Sequence, residues 1–443
     1  MKIRRTERTQ NTARFLINLT IILILVAYFV YIWMTYYTRF VIYWFWGHMV
    51  FIALYAVALT VFNSIYGGFE IGMSPTSDII FSQGISLLFS NLLIFFIMWV
   101  VTKGEVKLSD QVPYFLTSLL IEVVLNYVFN RIYFRIFPPK KTLMIYERED
   151  VSIYERILKY QSDSYDIQKK ESYRNMMEHL DEMLNYECIV AVGLYPNQKN
   201  HLAKECYERR KSLYVIPGIY DVIMNAGRSV YLVDTPVFKI NNFGPSQLEK
   251  IVKRIFDVVF SLVFLVITSP VSLFTALAIH LQDGGPVFYK QVRLTQYGRS
   301  FEIYKFRSMT TEAEKDGHAR LASEHDDRIT PVGRFIRSCR IDELPQLINI
   351  LKGDMSVVGP RPERPELVEE IKKEVPEFDY RLGVKAGLTG YAQVYGKYNT
   401  RLKDKLLFDL IYIEHFSLLL DLRIMFMTFK ILFKKESTEG VSD

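Results

Sequence analysis

Four runs of about twenty apolar residues crowd the first 135 positions of this chain, at 15–37, 41–62, 81–101 and 112–134. A helix rises about 1.5 Å per residue, so each run is long enough to cross the hydrocarbon core of a bilayer. Lys2, Arg4, Arg5, Arg8 and Arg14 precede the first run, and an excess of basic residues marks the cytoplasmic flank of a span. That run is too long for the apolar part of a signal peptide, and no small-residue cleavage site follows it. Four crossings return the chain to the cytoplasm, where Arg131, Arg135, Lys140 and Lys141 repeat the basic flank. A four-helix transmembrane region over 1–137 is the expectation. Its last segment carries Glu122, Asn126 and Asn130 on one helical face. A carboxylate inside a membrane is a functional-site candidate, but such a face also serves as glue between helices. Packing is the simpler reading, and the role of Glu122 stays open.

Averaged over 443 residues the mean hydropathy is only +0.10, so strongly polar segments must offset these blocks. About three domains fit the length. With 31 Phe and 29 Tyr the chain is too aromatic to be disordered. Cys188, Cys206 and Cys339 lack CxxC spacing, which excludes a disulfide framework or Cys-rich metal site and suits a reducing compartment. The net charge of +6 is too mild to indicate a nucleic-acid partner.

Pro138-Pro139 opens a second region, 138–245, where β-like runs (142–146, 188–192, 213–216 and 229–233) alternate with polar helical stretches. Such alternation predicts a small doubly wound α/β domain. A dinucleotide-binding version needs glycines after its first strand. Here that turn, 146–150, has none and carries three acidic residues, which would repel a pyrophosphate. Tyr207 and Lys211 match the YxxxK spacing of short-chain dehydrogenases; without a glycine loop they read as a solvated helix face. A regulatory or structural role fits, and an otherwise idle domain of this kind suits contact between two copies.

Residues 255–280 form a fifth apolar run, but Ser269-Pro270 sits at its centre. Proline removes a backbone donor and bends or breaks a helix. Basic residues lie on both sides, at Lys250, Lys253 and Arg254 and again at Lys290, Arg293, Arg299, Lys305 and Arg307. The charge rule then favours a re-entrant segment, broken at Ser-Pro, over a fifth crossing. Ser269 could satisfy a carbonyl that the break frees.

From residue 284 the chain turns soluble and rich in arginine. Arg334, Arg337 and Arg340 recur every three residues and would share one helix face. Asp342-Glu343-Leu344-Pro345 follows. Proline suits a first helical position, which predicts a helix over 345–351 with both carboxylates at its N-terminus. The helix dipole and the arginines would hold them ionised. That environment suits a carboxylate nucleophile facing a phosphate. An isolated Asp-Glu pair is more commonly a helix cap, but a cap does not explain the flanking residues. Arg361, locked between Pro360 and Pro362, offers a planar fork to a phosphate or a nucleobase. Asp409 and Tyr412 lie near, and Asp421 within, a last run, 418–435, whose mixture of apolar and basic residues suits an interfacial or a core helix.

Residues 250–435 resemble the catalytic domain of the bacterial sugar transferases, the monotopic polyprenol-phosphate phosphoglycosyltransferases. The resemblance rests on KRIFD, the Ser-Pro break, GPVFYKQVR, YKFRSM, DELPQLINILKGDMSVVGPRPE and GLTGYAQV, in family order. The whole chain is similar to the large members, with four transmembrane helices and a degenerate Rossmann-like domain ahead of a mostly helical catalytic domain, 246–443. The fold class implied is a membrane protein of α+β type. The resemblance implies that Asp342 is the nucleophile and Glu343 a ligand of Mg²⁺, with Asp342 beside the same ion. It implies that Arg337 meets phosphate and Arg361 the nucleotide, with Lys305 and Arg307 also at the substrate and Asp421 a further active-site carboxylate. Ser269 and Pro270 would shape the re-entrant helix. The implied reaction moves sugar-1-phosphate from a UDP-sugar to undecaprenyl phosphate through a phosphosugar-Asp intermediate, releasing UMP. This is the first membrane step of capsule, exopolysaccharide or O-antigen synthesis, at the cytoplasmic face of the bacterial inner membrane and among its lipids. No motif selects the sugar. Two other readings compete. A membrane-bound nucleotide-sugar dehydratase or epimerase lacks its glycine loop. A non-catalytic assembly or regulatory protein of polysaccharide export is opposed by the intact Asp-Glu and Pro-Arg-Pro motifs.

Overall fold

The computed structural model describes residues 7–40, 45–147, 154–155, 157–158, 161–240, 244–310, 326, 328–396 and 400–432. Lys2, Arg4 and Arg5 of the basic N-terminal flank, most of the acidic turn after residue 146, and Lys434 and Lys435 lie outside them. The fold mixes helices with small sheets, and contacts divide the chain into two compact units, Met1–Ile216 and Pro217–Asp443.

In the first unit, helices α1 (Glu7–Thr35), α2 (Phe45–Tyr66), α3 (Thr76–Val101) and α4 (Gln111–Ile136) follow the four apolar runs. Each lies in a stretch long and apolar enough to cross a membrane. Aromatic side chains fill their shared interior: Phe29 stacks on Tyr55 with ring centroids 4.0 Å apart, and Trp33 donates its indole N–H to His48 Nδ1 at 2.9 Å. The polar face of α4 points inward, as its packing role requires. Asn126 donates to Gln83 Oε1 on α3 at 2.8 Å. Glu122 is fully buried, and neither of its carboxylate oxygens has a hydrogen-bond partner.

The same unit holds a parallel sheet of order β2-β1-β3-β4, from β1 (Lys140–Tyr146), β2 (Tyr165–Ser172), β3 (Cys188–Val192) and β4 (Ser212–Val215), with helices α5 (Tyr173–Glu178) and α6 (Pro196–Glu208). Apolar clusters cover both sheet faces, Leu143, Ile145 and Ile189 on one and Met144, Val190 and Val192 on the other. Three of the four anticipated strands are in this sheet. The fourth run, 229–233, is not: β5 (Arg228–Leu232) pairs antiparallel with β6 (Thr235–Lys239) in a separate hairpin of the second unit, after helix α7 (Ile219–Asn225).

The second unit is built around α8 (Gln247–Asp283). Ser246 caps it, its hydroxyl accepting from the Glu249 N–H while Glu249 accepts from the Ser246 N–H, a reciprocal capping box. The anticipated break at Ser269-Pro270 is not an interruption of the helix, which runs through Pro270. Proline at 270 leaves the carbonyl of Val266 without its usual N–H four residues on. The Ser269 hydroxyl donates to that carbonyl at 2.8 Å. The missing bond is replaced locally, and helical geometry continues. The mid-helix side chains Val266, Ile267, Leu273 and Phe274 are all exposed, whereas Asp257 and Ser261 toward one end and Thr275 and Ile279 toward the other are buried against this unit.

The KRIFD segment is a set of grips at the base of α8. Arg254 donates to the carbonyls of Ile350 and Leu351 at 2.6 and 2.7 Å, which are among the last of helix α10 (Gln346–Lys352). A guanidinium there satisfies groups that a helix end leaves unpaired and complements the negative end of its dipole. Asp257 accepts from Ser356 Oγ and Val357 N, both at 3.0 Å. These residues belong to β9 (Met355–Val358), which pairs in parallel with β10 (Ala386–Thr389). The antiparallel pair β7 (Phe288–Leu294) and β8 (Ser300–Phe306), with α9 (Pro331–Ser338), α11 (Pro365–Glu374), α12 (Tyr391–Tyr395), α13 (Leu402–Glu414) and α14 (Leu418–Leu432), completes the unit. Its core joins Ile303, Leu347, Ile350, Val357, Leu410 and Ile424.

Candidate active site

Asp342 and Glu343 lie in a single 3-10 turn, Ile341–Glu343, with Pro345 as the N-cap of α10. The expected arrangement, two carboxylates just ahead of a helix, is present. The expected arginine stripe is not. Helix α9 ends at Ser338, and Arg340 takes a left-handed conformation (φ 56°), so it leaves the face shared by Arg334 and Arg337. That turn brings its NH1 to 3.8 Å from Glu343 Oε1.

Two more cations converge on the same oxygen. Lys305, on β8, reaches it at 3.0 Å, and Arg361 NH2 lies 3.7 Å away. Lys305 is aimed by its neighbours: Tyr304 N–H donates to Asn349 Oδ1 at 2.9 Å, and Asn349 Nδ2 donates to the Glu302 carbonyl at 2.7 Å. The buried Asn349 carboxamide thus stitches α10 to the edge of β8, next to Lys305.

Adjacent carboxylates in one turn acquire opposite proton affinities here. Burial alone would raise Glu343, but Lys305, Arg361 and Arg340 outweigh it and hold this carboxyl well below its ordinary value. Asp342 moves the other way, raised first by burial and then by the charge of Glu343, against Lys305, Arg340 and Arg337. Its Oδ1 is buried without a hydrogen-bond partner. An ionised Asp342 is therefore poorly solvated and reactive toward an electrophile, while Glu343 keeps its charge.

Arg361 is presented by a loop that only small residues permit. Gly359 N–H donates to the Thr389 carbonyl at 2.8 Å, and Gly387 N–H to the Pro360 carbonyl at 2.9 Å. A Cβ on Gly359 would lie 2.3 Å from the Lys385 carbonyl oxygen, and one on Gly387 would lie 2.1 Å from Gly359 N. Glycine at both positions lets the two backbones touch. From the other side, Arg293 on β7 donates to the Pro362 carbonyl at 3.2 Å, and Leu294 N–H to the Glu363 carbonyl at 3.0 Å. Sequence reasoning missed these supports. The signal available was the glycine and arginine content of the GLTGYAQV and GPVFYKQVR segments.

Residues 248–435 match the family described as bacterial sugar transferase. A UDP-N-acetylgalactosamine-undecaprenyl-phosphate N-acetylgalactosaminephosphotransferase of Aeromonas hydrophila is 42% identical over 195 residues, 43% of this chain and 46% of that protein. A UDP-glucose:undecaprenyl-phosphate glucose-1-phosphate transferase of Escherichia coli strain K12 is 35% identical over 222 residues, 49% of this chain and 48% of that protein. An uncharacterized sugar transferase of Bacillus subtilis is 42% identical over 178 residues, 40% of this chain but 85% of that protein. The chain belongs to the bacterial sugar transferase family. It spans about half the length of the Aeromonas and Escherichia relatives.

In this sugar transferase family member, the remaining candidate residues are not all gathered at the Asp-Glu pair. Arg307 is buried and ion-paired with Asp283 at the end of α8. Ser269 and Pro270 lie mid-way along α8. Asp421 is fully buried on α14: Lys253 Nζ lies 2.5 Å from its Oδ2, and Tyr412 OH donates to its Oδ1 at 2.8 Å. Asp409 is likewise buried, accepting from Arg381 Nε at 2.8 Å. No group of three or more His, Cys, Asp or Glu side chains able to hold a metal occurs among the described residues. A magnesium ion needs no such cage, since it binds one or two carboxylates together with substrate phosphates. The ionised Glu343 and the unpartnered Oδ1 of Asp342 fit that demand. Three cations around Glu343 oppose a bare dication, so the pair suits an ion that arrives with a diphosphate.

Proposed function

We propose that this chain transfers sugar-1-phosphate from a UDP-sugar to undecaprenyl phosphate and releases UMP. The observation that carries the reading is the split pair: a buried Asp342 with an unpartnered oxygen beside a Glu343 held ionised by Lys305, Arg340 and Arg361. The relatives' names supply the substrate class. In the first step an Asp342 oxygen forms a bond to the sugar-bearing phosphorus, and the bond from that phosphorus to the bridging oxygen breaks. UMP leaves with the electron pair. In the second step an oxygen of undecaprenyl phosphate attacks the same phosphorus, giving the lipid diphosphosugar and regenerating the Asp342 carboxylate.

Arg361 and Arg337 are assigned to the diphosphate and nucleotide, with Lys305 neutralising the phosphoryl oxygens as charge develops on them. Arg307 is assigned to the substrate side through its hold on the end of α8. Magnesium, held by Glu343 and Asp342, would supply further neutralisation of phosphoryl charge. Catalysis of this kind is mostly positioning and electrostatics.

The same reading makes α8 a re-entrant helix. Both of its ends pack on the second unit while its middle is exposed and apolar, which suits a helix dipping into one leaflet and returning. The catalytic unit would then sit at the cytoplasmic face of the bacterial inner membrane, where a lipid phosphate and a cytosolic nucleotide can meet. Four spanning helices and a degenerate Rossmann-like domain, suited to contact between two copies, would precede it. The product would start a capsule or exopolysaccharide chain.

The test is incubation of the full chain in lipid nanodiscs with undecaprenyl phosphate, Mg²⁺ and a panel of UDP-sugars, following UMP. Wild type releases UMP with one or few of the sugars, and Asp342→Asn releases none even as a single-turnover burst. Full turnover by Asp342→Asn overturns the covalent scheme.

A further inference from the structure

We infer that Asp421 is a positioning residue, the centre of a buried relay running from Lys253 through Tyr412 to the Val358 carbonyl, that fixes Arg361 relative to the base of α8. The inference rests on the transfer reading above only for the ligand that Arg361 meets.

The geometry excludes direct contact with a substrate. Asp421 is fully buried, and each oxygen has its own partner, Lys253 at 2.5 Å and Tyr412 at 2.8 Å. A ligand could reach this carboxylate only by displacing one of them. The relay does not stop there. The Tyr412 hydroxyl also lies 3.2 Å from the carbonyl oxygen of Val358, the last residue of β9 and two residues before Pro360-Arg361. One hydroxyl proton is therefore shared between the Asp421 carboxylate and a backbone carbonyl. Burial raises the proton affinity of Asp421, while Lys253 opposes that rise.

The far end of the relay is the first part of the membrane helix. Lys253 stands one turn before Asp257, which accepts from Ser356 and Val357 on the same strand. Two grips from α8 thus act on β9 at neighbouring positions, one directly on the Ser356 hydroxyl and the Val357 N–H and one through Asp421 and Tyr412 on its carbonyl end. Strand β9 leads straight into the loop that carries Arg361 to Glu343. Losing the relay should loosen the anchor of the loop on its β9 side, so that Arg361 is held less firmly toward the anionic pair.

The test uses the full chain in nanodiscs, with Tyr412→Phe, Asp421→Asn and Arg361→Lys made singly and in pairs. Two readouts apply: backbone amide exchange of 357–364, and kcat/KM for UMP release from the sugar nucleotide that wild type accepts. Tyr412→Phe should speed exchange of the Gly359 and Arg361 amides while leaving β7 and β8 protected, and lower kcat/KM about tenfold, mostly through KM. Combined with Arg361→Lys it should add little further loss, because residues acting through one another do not combine additively. Unchanged exchange at 359–361, or losses that multiply, overturns the inference. Should Tyr412→Phe fail to fold, Lys253→Gln is read by the same criteria. Should wild type release no UMP from any UDP-sugar, the transfer reading falls, and the exchange measurement alone decides the relay.

Discussion

At the scale of single residues, the opposite shifts of Asp342 and Glu343 carry a prediction about pH. On the proposed scheme Asp342 attacks only when ionised, and its carboxyl is raised to about 6, chiefly by burial. Activity as kcat/KM should therefore fall as pH drops through about 6, well above the range in which an ordinary aspartate titrates. A limb that appears only near pH 4 counts against Asp342 as the attacking group. The same shift has a cost in stability, and its sign can be worked out. Between the ordinary carboxylate value and about 6, the folded state binds the Asp342 proton more tightly than the unfolded state does. Stability from this group is present at low pH and lost as pH rises through the folded value. Asp342→Asn, which never ionises, should then be more stable than wild type at pH 7.5, by on the order of 2 kcal/mol. Near pH 4 that gap should close. Melting curves at the two pH values check it, and a variant less stable than wild type at pH 7.5 contradicts it. The carboxylate pair was legible in the sequence because covalent adjacency survives any fold. The role of Arg340 was not, because its left-handed turn breaks a spacing rule that assumes one continuous helix.

At the scale of elements, two backbone devices make further predictions. The Gly359 and Gly387 backbones meet where a Cβ would overlap with main-chain atoms at 2.3 Å or less, and main chain cannot swing aside as a long side chain can. Gly387→Ala should cost on the order of 2–3 kcal/mol and lower activity through the Arg361 loop. A wild-type melting temperature with wild-type activity would refute that. In α4, Glu122 has no ion pair among the described residues and no partner for either oxygen. A carboxyl buried without partners is costly to ionise, and the amide of the same shape is neutral, so Glu122→Gln should leave the first unit at least as stable as wild type. Unfolding of that variant, read by melting in detergent, would mean that the carboxylate holds something the neutral amide cannot. The apolar helices and three of the parallel strands were legible because their patterns are strong. Strand β2 was not, since its sequence, Tyr165–Ser172, is rich in Asp, Gln, Lys and Glu. Strand preference is weak at such residues, and only its position at the sheet edge, paired with β1 alone, makes it a strand.

For the whole molecule, the decisive question is on which side of the membrane the second unit lies, and the chain supplies its own probe. Cys188 and Cys206 are buried, whereas Cys339, one residue after α9 and three before Asp342, is exposed. Helix α8 is long and apolar enough to span, and helical geometry passes through Pro270 unbroken, so neither length nor the proline decides between a crossing and a return. The packing of both its ends does favour a return, because Asp257 and Ser261 toward one end and Thr275 and Ile279 toward the other are buried in the same unit while Val266, Ile267, Leu273 and Phe274 are exposed. If α1 to α4 all span, as proposed, a re-entrant α8 keeps Cys339 on the side of the N-terminus, and a crossing places it opposite. A membrane-impermeant maleimide should label Cys339 in inside-out vesicles and not in intact spheroplasts, alongside a cysteine introduced near residue 8 as the cytoplasmic reference. Labelling of Cys339 from outside intact cells would make α8 a fifth span. It would also separate the Asp-Glu pair from any cytosolic nucleotide, and the transfer reading would fall with it.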